Sequence, residues 1–195
     1  MSAPRLIVGI SGASGAVYGL RILELLRDGP VQTHLVVSKA GHTTLAHEAD
    51  VTAGDLERLA DVVHPHHDIG ASIASGSFRT LGMVVAPCSV KSMSEIAAGT
   101  TSGLLTRAAD VVLKERRRLV LMVRETPLHR NHLRTMAELS ELGAIIAPPV
   151  PAFYIRPRSL EEIVDHTVGR VLDLFDLEVG AAHRWNGIAD ARVTR

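Results

Sequence analysis

The 195-residue sequence is 46% hydrophobic, which is enough for one sizeable core but short for two domains, so we expect a single domain over residues 1–195. Lysine plus arginine and aspartate plus glutamate each number 21, so the net charge is zero and neither nucleic acid nor an anionic membrane is an expected partner. One cysteine excludes an internal disulfide, and the lack of a signal-like or membrane-spanning apolar run makes the cytoplasm the expected location.

The first elements are a strand and a helix joined by a glycine-rich turn. The apolar run Arg5 to Ile10 predicts a buried strand, and the apolar spacing from Ala16 to Arg27 predicts a helix. The turn from Gly9 to Gly15 allows close approach of a ligand, and the amides of the following helix favour an anion there. Its spacing matches neither a dinucleotide nor a nucleoside triphosphate motif. It therefore favours flavin mononucleotide (FMN) or another monophosphate, with a plain turn that binds nothing as the alternative.

Strands and helices then alternate along the chain. Apolar strands are expected at Thr33 to Val37, Val62-Val63, Gly82 to Ala86, Leu119 to Val123 and Ala144 to Ala147. Helices are expected at Ala40 to Ala49, Asp55 to Ala60, Ser92 to Ala98, Leu104 to Arg118 and Asn131 to Leu142. The polar stretch from His64 to Phe78 fits either a mobile loop over a site or a surface linker. This alternation predicts an α/β fold with a parallel, doubly wound sheet of five or six strands.

The C-terminal part differs in composition. Three prolines between Pro148 and Pro151 predict a rigid extended arm that leads to Phe153 and Tyr154. Ser159 and Glu162 have the spacing of a capping box, which opens a final helix to about Leu177.

Four predicted strands end in polar or reactive side chains. These are Ser14 (in the first turn), Ser38, Cys88 with Ser89, and Arg124 with Glu125. In a doubly wound sheet the carboxyl ends of the strands share one edge, so we expect one ligand site there. Cys88 has no evident base and is interpreted as a buried apolar residue. The ten histidines lack a convincing ligand set, so no metal site is expected.

Six segments in fixed order carry a more specific signal: Gly9 to Ala16, Ala86 to Ser92, Thr106 to Val111, Leu113 to Arg117, Val123 to Leu128 and Pro148 to Tyr154. Together they resemble the UbiX-type flavin prenyltransferases, also called the UbiX/Pad family. The match runs from Arg5 to about Gly187. The segments Arg156 to Glu162 and Arg184 to Gly187 look like the members that are encoded together with hydroxyarylic acid decarboxylases.

The resemblance implies a Rossmann-like or flavodoxin-like three-layer fold and a metal-independent transferase. Such an enzyme joins the dimethylallyl group of dimethylallyl phosphate to N5 and then C6 of reduced FMN. The product is prenylated FMN, the cofactor of a separate UbiD-type decarboxylase. A homo-oligomer is also implied, expected to be a dodecamer whose interfaces include the tail from about residue 178.

The resemblance also assigns roles to individual residues. FMN would be held by Gly12, Ala13, Ser14, Ser38, Ser89, Val90, Lys91, Ser92 and Arg124. Dimethylallyl phosphate would be held by Lys114, Tyr154 and Arg170. Ser14 and Glu125 would handle protons, and Trp185 would offer an aromatic face to the allylic cation. The role of Arg107 stays open.

Two other functions are considered. One is an FMN-dependent decarboxylase of cysteine-containing substrates, a related family whose Pro-x-Met-Asn signature and catalytic histidine are not found in this sequence. The other is a non-catalytic FMN-binding component of a hydroxyarylic acid decarboxylase complex. A mere carrier would not need a second phosphate site, which disfavours this role.

Overall fold

The computed structural model describes residues 3–49 and 51–180, and Trp185 lies outside these residues. The described chain forms one sheet of six parallel strands in the order β3-β2-β1-β4-β5-β6. Its strands are β1 (Arg5–Ile10), β2 (Gln32–Val37), β3 (Val62–His64), β4 (Gly82–Cys88), β5 (Arg118–Val123) and β6 (Ile145–Ile146). The doubly wound parallel sheet predicted from the sequence is confirmed.

Helices cover both faces of the sheet, and this burial explains why its central strands are almost uninterrupted apolar runs. One face packs against α1 (Ala16–Leu26), α2 (Lys39–Glu48), α3 (Ala53–Leu59) and α7 (Leu160–Asp173). The other packs against α4 (Val90–Ala97), α5 (Leu104–Lys114) and α6 (Arg130–Glu141). The result is a three-layer α/β fold. Within the described residues no helix has the length and apolar character needed to cross a membrane.

Several boundaries differ from the sequence prediction by one to four residues, and three of them coincide with an irregular backbone feature. Strand β4 continues through Pro87 to Cys88, with an irregular register against β5 instead of a break at Ala86. Helix α5 ends at Lys114 and not at Arg118, because Arg116 adopts a left-handed conformation with φ of 56°. Helix α7 ends at Asp173 and not near Leu177, and a left-handed residue, Asp176 with φ of 60°, follows it.

The polar stretch before β4 is attached to the body of the protein. Its 3₁₀ helix, Ser72–Ala74, buries Ile73 in the core formed with α5. The Arg117 guanidinium donates to the carbonyl oxygens of Phe78 at 2.7 Å and Gly76 at 2.6 Å. The stretch is therefore a packed segment of the fold, and Arg117 holds it in place.

Candidate active site

The strand order reverses direction between β1 and β4, which is where doubly wound sheets place their ligands. A buried serine joins the two loops at this point. The Ser11 hydroxyl donates to the Pro87 carbonyl oxygen at 2.8 Å and accepts from the Ser89 amide at 2.7 Å. The loop after β1 and the loop after β4 therefore form one rigid unit.

Two glycines shape the first of these loops. Gly15 is the N-cap of α1 and has φ of 101°, a left-handed conformation that favours glycine. A Cβ atom on Gly12 would collide with the side chain of Ala40, at the start of α2. The turn, which includes Ala13, can lie this close to α2 only because Gly12 has no side chain, whereas a Cβ atom on Gly15 would lie 3.2 Å from the Tyr18 ring of α1.

A carboxylate that the sequence analysis did not single out lies against this turn. Glu48, the last residue of α2, accepts from the amides of Gly15 at 2.8 Å and Ala16 at 3.1 Å, and also from the Ser14 hydroxyl. Partial burial raises the pKa of Glu48, but these hydrogen bonds and the positive charge of Arg124 outweigh burial and leave the pKa below its ordinary value. Glu48 is therefore ionised, and its carboxylate orients the Ser14 hydroxyl.

One signal for Glu48 was present in the sequence. An acidic residue at the C-terminal end of a helix opposes the helix dipole, which favours cations there. Such a residue is expected only where another contact compensates for it, and in this case the compensation comes from the N-terminus of α1.

A polar pocket of about 540 Å³ lies on one side of the turn. Ser38 and Ser89 are the N-caps of α2 and α4, accepting from the amides of Gly41 at 3.0 Å and Ser92 at 3.2 Å. The pocket thus collects helix N-termini, hydroxyl groups and lysine side chains, which favour an anion, but its lining also includes Glu95, whose carboxylate lies 3.6 Å from the Lys91 ammonium. Its lining includes Gly12, Ser38, Lys39, Ser89, Lys91 and Ser92, and Val90 adjoins it as the first residue of α4.

A larger and more apolar cleft of about 810 Å³ lies on the other side of the turn. Ser14 and Arg124 line it, together with Pro149 and Pro151 of the proline arm and Val17 of α1. Its volume is in the range of small-molecule sites, which is about 300 to 1,000 Å³. The structure therefore brings together two candidates for flavin binding, Ser14 on the loop after β1 and Arg124 on the loop after β5.

Arg124 and Glu125 follow β5 at the same edge. The Arg124 amide donates to the Cys88 carbonyl oxygen at 3.0 Å, which ties this loop to the end of β4. A Glu125 carboxylate oxygen accepts from the Thr126 amide at 2.9 Å. Within residues 3–49 and 51–180, Glu125 forms no ion pair with Arg124 or with another cation. A purely structural ion pair therefore does not account for Glu125.

Lys114 lies at the amino-terminal ends of the strands, opposite the carboxyl ends that carry Ser14 and Arg124. It ends α5 just before β5 begins, whereas Arg124 follows the end of β5, and a six-residue strand is about 17 Å long. Its ammonium group contacts the Glu115 carboxylate at 2.5 Å, next to Gly76. Within one chain, Lys114 is therefore not brought to Ser14 and Arg124.

Tyr154 and Arg170 form a third group, beside the β6 edge of the sheet. The Tyr154 hydroxyl lies 3.0 Å from Nε2 of His166, and Arg170 follows His166 by one turn of α7. Arg170 also forms an ion pair with Asp173 at 2.7 Å. The structure thus groups these two candidates with each other but not with Lys114.

Comparison with known proteins places this arrangement in a family. The flavoprotein family model matches residues 1–172. The flavin prenyltransferase UbiX of Escherichia coli K12 is 59% identical over 186 residues, covering 94% of this chain and 98% of the relative. The chain belongs to the UbiX flavin prenyltransferases. The resemblance read from six segments of the sequence is confirmed.

Solved structures of flavin prenyltransferase relatives agree with the fold. AnUbiX (PadA1), crystallised with FMN and dimethylallyl pyrophosphate, has a TM-score of 0.92 at 50% identity and covers 94% of this chain and 98% of its own. A dodecameric FMN-dependent UbiX-like decarboxylase from E. coli O157:H7 has a TM-score of 0.91 at 52% identity, with coverages of 94% and 100%. The cysteine decarboxylase TvaF, related to the first alternative, is 17% identical with a TM-score of 0.61, which shows a shared fold alone.

Cys88 is fully buried, and burial raises the pKa of its thiol to about 12. A thiolate is the reactive form of cysteine, so this environment suits a core residue and not a nucleophile. No group of three or more histidine, cysteine, aspartate or glutamate side chains suited to a metal ion occurs among the described residues.

Proposed function

We propose that this flavin prenyltransferase joins the dimethylallyl group of dimethylallyl phosphate to N5 and C6 of reduced FMN and releases phosphate. The observation that carries the proposal is that Ser14 and Arg124 line one cleft, with Glu48 hydrogen-bonded to the turn that carries Ser14, next to a second pocket with serine hydroxyls and helix N-termini. Bound FMN would supply the nucleophilic N5 and C6 atoms. All other contributions come from the residues of this chain.

The two pockets fit the two ends of FMN. The flavin phosphate suits the polar pocket, where Ser38, Ser89 and Ser92 supply hydroxyl groups and Lys91 supplies a positive charge. The flavin ring suits the cleft beside Ser14 and Arg124, which combines proline and aliphatic walls with charged side chains such as Asp165. Gly12 lets the turn between the two pockets pack directly against Ala40 of α2.

Two groups at the carboxyl edge of the sheet can hold or move protons. The Ser14 hydroxyl, oriented by ionised Glu48, is placed to orient or relay the proton at N5. Glu125, without a cationic partner among the described residues, is available as the acid and base during ring closure. The allylic cation would be stabilised by the aromatic face of Trp185, which lies outside the described residues.

The three residues assigned to the prenyl phosphate are not brought to the cleft by one chain, and the cations in its lining are Arg21 and Arg124. Lys114 lies across the sheet from Ser14, and Tyr154 and Arg170 lie beside the β6 edge. A complete site therefore requires chains to assemble, with Lys114 reaching the cleft of a neighbouring copy. The exposed side chains of Val150 and Phe153, 73% and 72% accessible, provide apolar surface for such an interface. We infer a homo-oligomer, expected to be a dodecamer like the E. coli O157:H7 relative.

The released product would serve a UbiD-type decarboxylase in the cytoplasm, in keeping with the family resemblance. A non-catalytic FMN carrier is disfavoured by the Glu125 carboxylate, which has no cationic partner in the part of the chain that the structure describes and which flavin storage does not need.

Anaerobic incubation with reduced FMN and dimethylallyl phosphate tests the proposal. We expect the recovered flavin to gain the mass of one dimethylallyl group and to change its absorbance, with one phosphate released per flavin. Recovery of unmodified FMN from the folded, FMN-saturated protein would overturn the proposal.

A further inference from the structure

One buried histidine lies between the two C-terminal residues assigned to the prenyl phosphate. His166, on α7, is 5% exposed. Its Nε2 atom lies 3.0 Å from the Tyr154 hydroxyl, and the two rings meet edge to face with their centroids 5.5 Å apart. No sequence motif points to His166, and its contact with Tyr154 arises from the way α7 packs beside the proline arm.

His166 and Arg170 share a face of α7 because they are four residues apart. Both line a pocket of about 270 Å³ that is closed on the other side by the proline arm, with Pro148, Val150 and Ala152 in its wall. Tyr154 follows this arm in a one-turn 3₁₀ helix, Phe153–Ile155. The hydrogen bond thus joins the arm to α7 at the level of Arg170.

Tyr154 belongs to a segment with little regular structure of its own. Residues 148–152 are neither helix nor strand, and the Tyr154 side chain is 49% exposed. A half-exposed phenol at the end of such an arm samples several orientations unless a partner fixes it. The buried imidazole of His166 is a rigid partner of this kind, because it is held on a packed helix.

The direction of this hydrogen bond decides what Tyr154 can do. A phenol has one proton, so a tyrosine that donates to histidine has none left for a phosphate. We propose that His166 is a positioning residue for the prenyl donor: its Nε2–H group donates to the Tyr154 oxygen, and the phenol proton is directed to the phosphate beside Arg170. This inference rests on the proposed prenyl transfer.

Substitutions at residue 166 distinguish the effect of the hydrogen-bond donor from the effect of the size of the side chain. Glutamine at this position retains an N–H donor, whereas leucine retains bulk without a donor. We expect His166→Leu to lower kcat/KM for dimethylallyl phosphate by about tenfold, mainly through KM, because a neutral hydrogen bond is lost. His166→Gln should stay within about twofold of wild type, and FMN affinity and thermal stability should change little in both variants. The exposed residue His67 provides the matched control, since His67→Leu should leave all these quantities unchanged.

The pair is tested in a double-mutant cycle with Tyr154→Phe. If the two residues act as one unit, His166→Leu should add no further loss to Tyr154→Phe. Additive losses, or a normal KM in His166→Leu beside a raised KM in Tyr154→Phe, would overturn the role of His166 and leave prenyl transfer intact. An unchanged KM in Tyr154→Phe would remove both residues from phosphate binding. Absence of prenylated flavin with the wild-type enzyme would instead overturn the proposed function and this inference with it.

Discussion

Two regions of the molecule differ in how their candidate site residues are held. One is the carboxyl edge of the sheet, and the other comprises the surroundings of Lys114, Tyr154 and Arg170. At the carboxyl edge, the Ser11 hydroxyl joins the loops after β1 and β4, and the Glu48 carboxylate at the end of α2 accepts from the amides at the start of α1, all within a single chain. The candidates for binding the prenyl phosphate instead lie in two separate places. Lys114 lies at the amino-terminal ends of the strands, whereas Tyr154 contacts α7, the helix that carries Arg170. We therefore expect the flavin half of the proposed site to form within one chain and the donor half to depend on assembly.

The largest expected effect concerns the chemistry at the self-contained edge. Glu125→Gln keeps the shape of the side chain but removes proton exchange, so prenylation should fall by roughly 10² to 10⁴ while FMN still binds. Anaerobic stopped-flow spectra and product mass measure this loss, with the exposed residue Glu141 on α6 as the control through Glu141→Gln. An unchanged rate, or lost FMN binding as the sole defect, would remove Glu125 from the mechanism.

Mixed oligomers test the division of the site between chains. Glu125→Gln and Lys114→Ala chains should each be nearly inactive alone. When they are co-expressed, about one quarter of the sites should combine an intact Glu125 with an intact Lys114 from a neighbour, since each occurs with a probability of about one half. Activity should therefore recover to about a quarter of the wild-type value. Lack of recovery in oligomers shown by mass spectrometry to be mixed would mean that both residues act from the same chain.

A smaller effect is expected for the Ser14 and Glu48 pair. Ser14→Ala should fold and bind FMN but prenylate about tenfold to a hundredfold more slowly, because the backbone still holds the flavin phosphate while proton transfer is impaired. Glu48→Gln should give a similar defect through the loss of the ionised partner of Ser14. Because the two residues share one hydrogen bond, the double variant should be no slower than the slower single variant. The hydroxyl of Thr135 on α6 provides a control in Thr135→Ala, and wild-type turnover in Ser14→Ala would exclude the role.

The smallest effect is expected at Cys88. Because burial raises the pKa of this thiol to about 12, Cys88→Ser should keep turnover within about twofold of wild type, and chelators should have no effect. Single-turnover rates of Cys88→Ser and of the wild-type enzyme, each with and without chelator, measure the effect of the substitution and the effect of metal removal. A loss of about a hundredfold would show that Cys88 takes part in the reaction.

Local patterns were sufficient for most of the fold. The apolar runs at β1 and β5 and the helical spacing of α1 gave boundaries within one residue of those observed, because burial on both faces of a parallel sheet leaves a clear sequence pattern. The prediction was wrong at the end of α5, where the left-handed Arg116 stops the helix. Neither propensity nor periodicity reports such a turn in an arginine-rich segment.

The sequence by itself determined the layered α/β architecture, the ligand-bearing edge of the sheet and the family, since these depend on local periodicity and on ordered motifs. The tertiary structure decided which side chains meet: that Glu48 orients Ser14, that His166 contacts Tyr154, and that Lys114 lies at the far edge. Contacts between residues far apart in the chain are set by how strands and helices pack, and no local pattern encodes that packing.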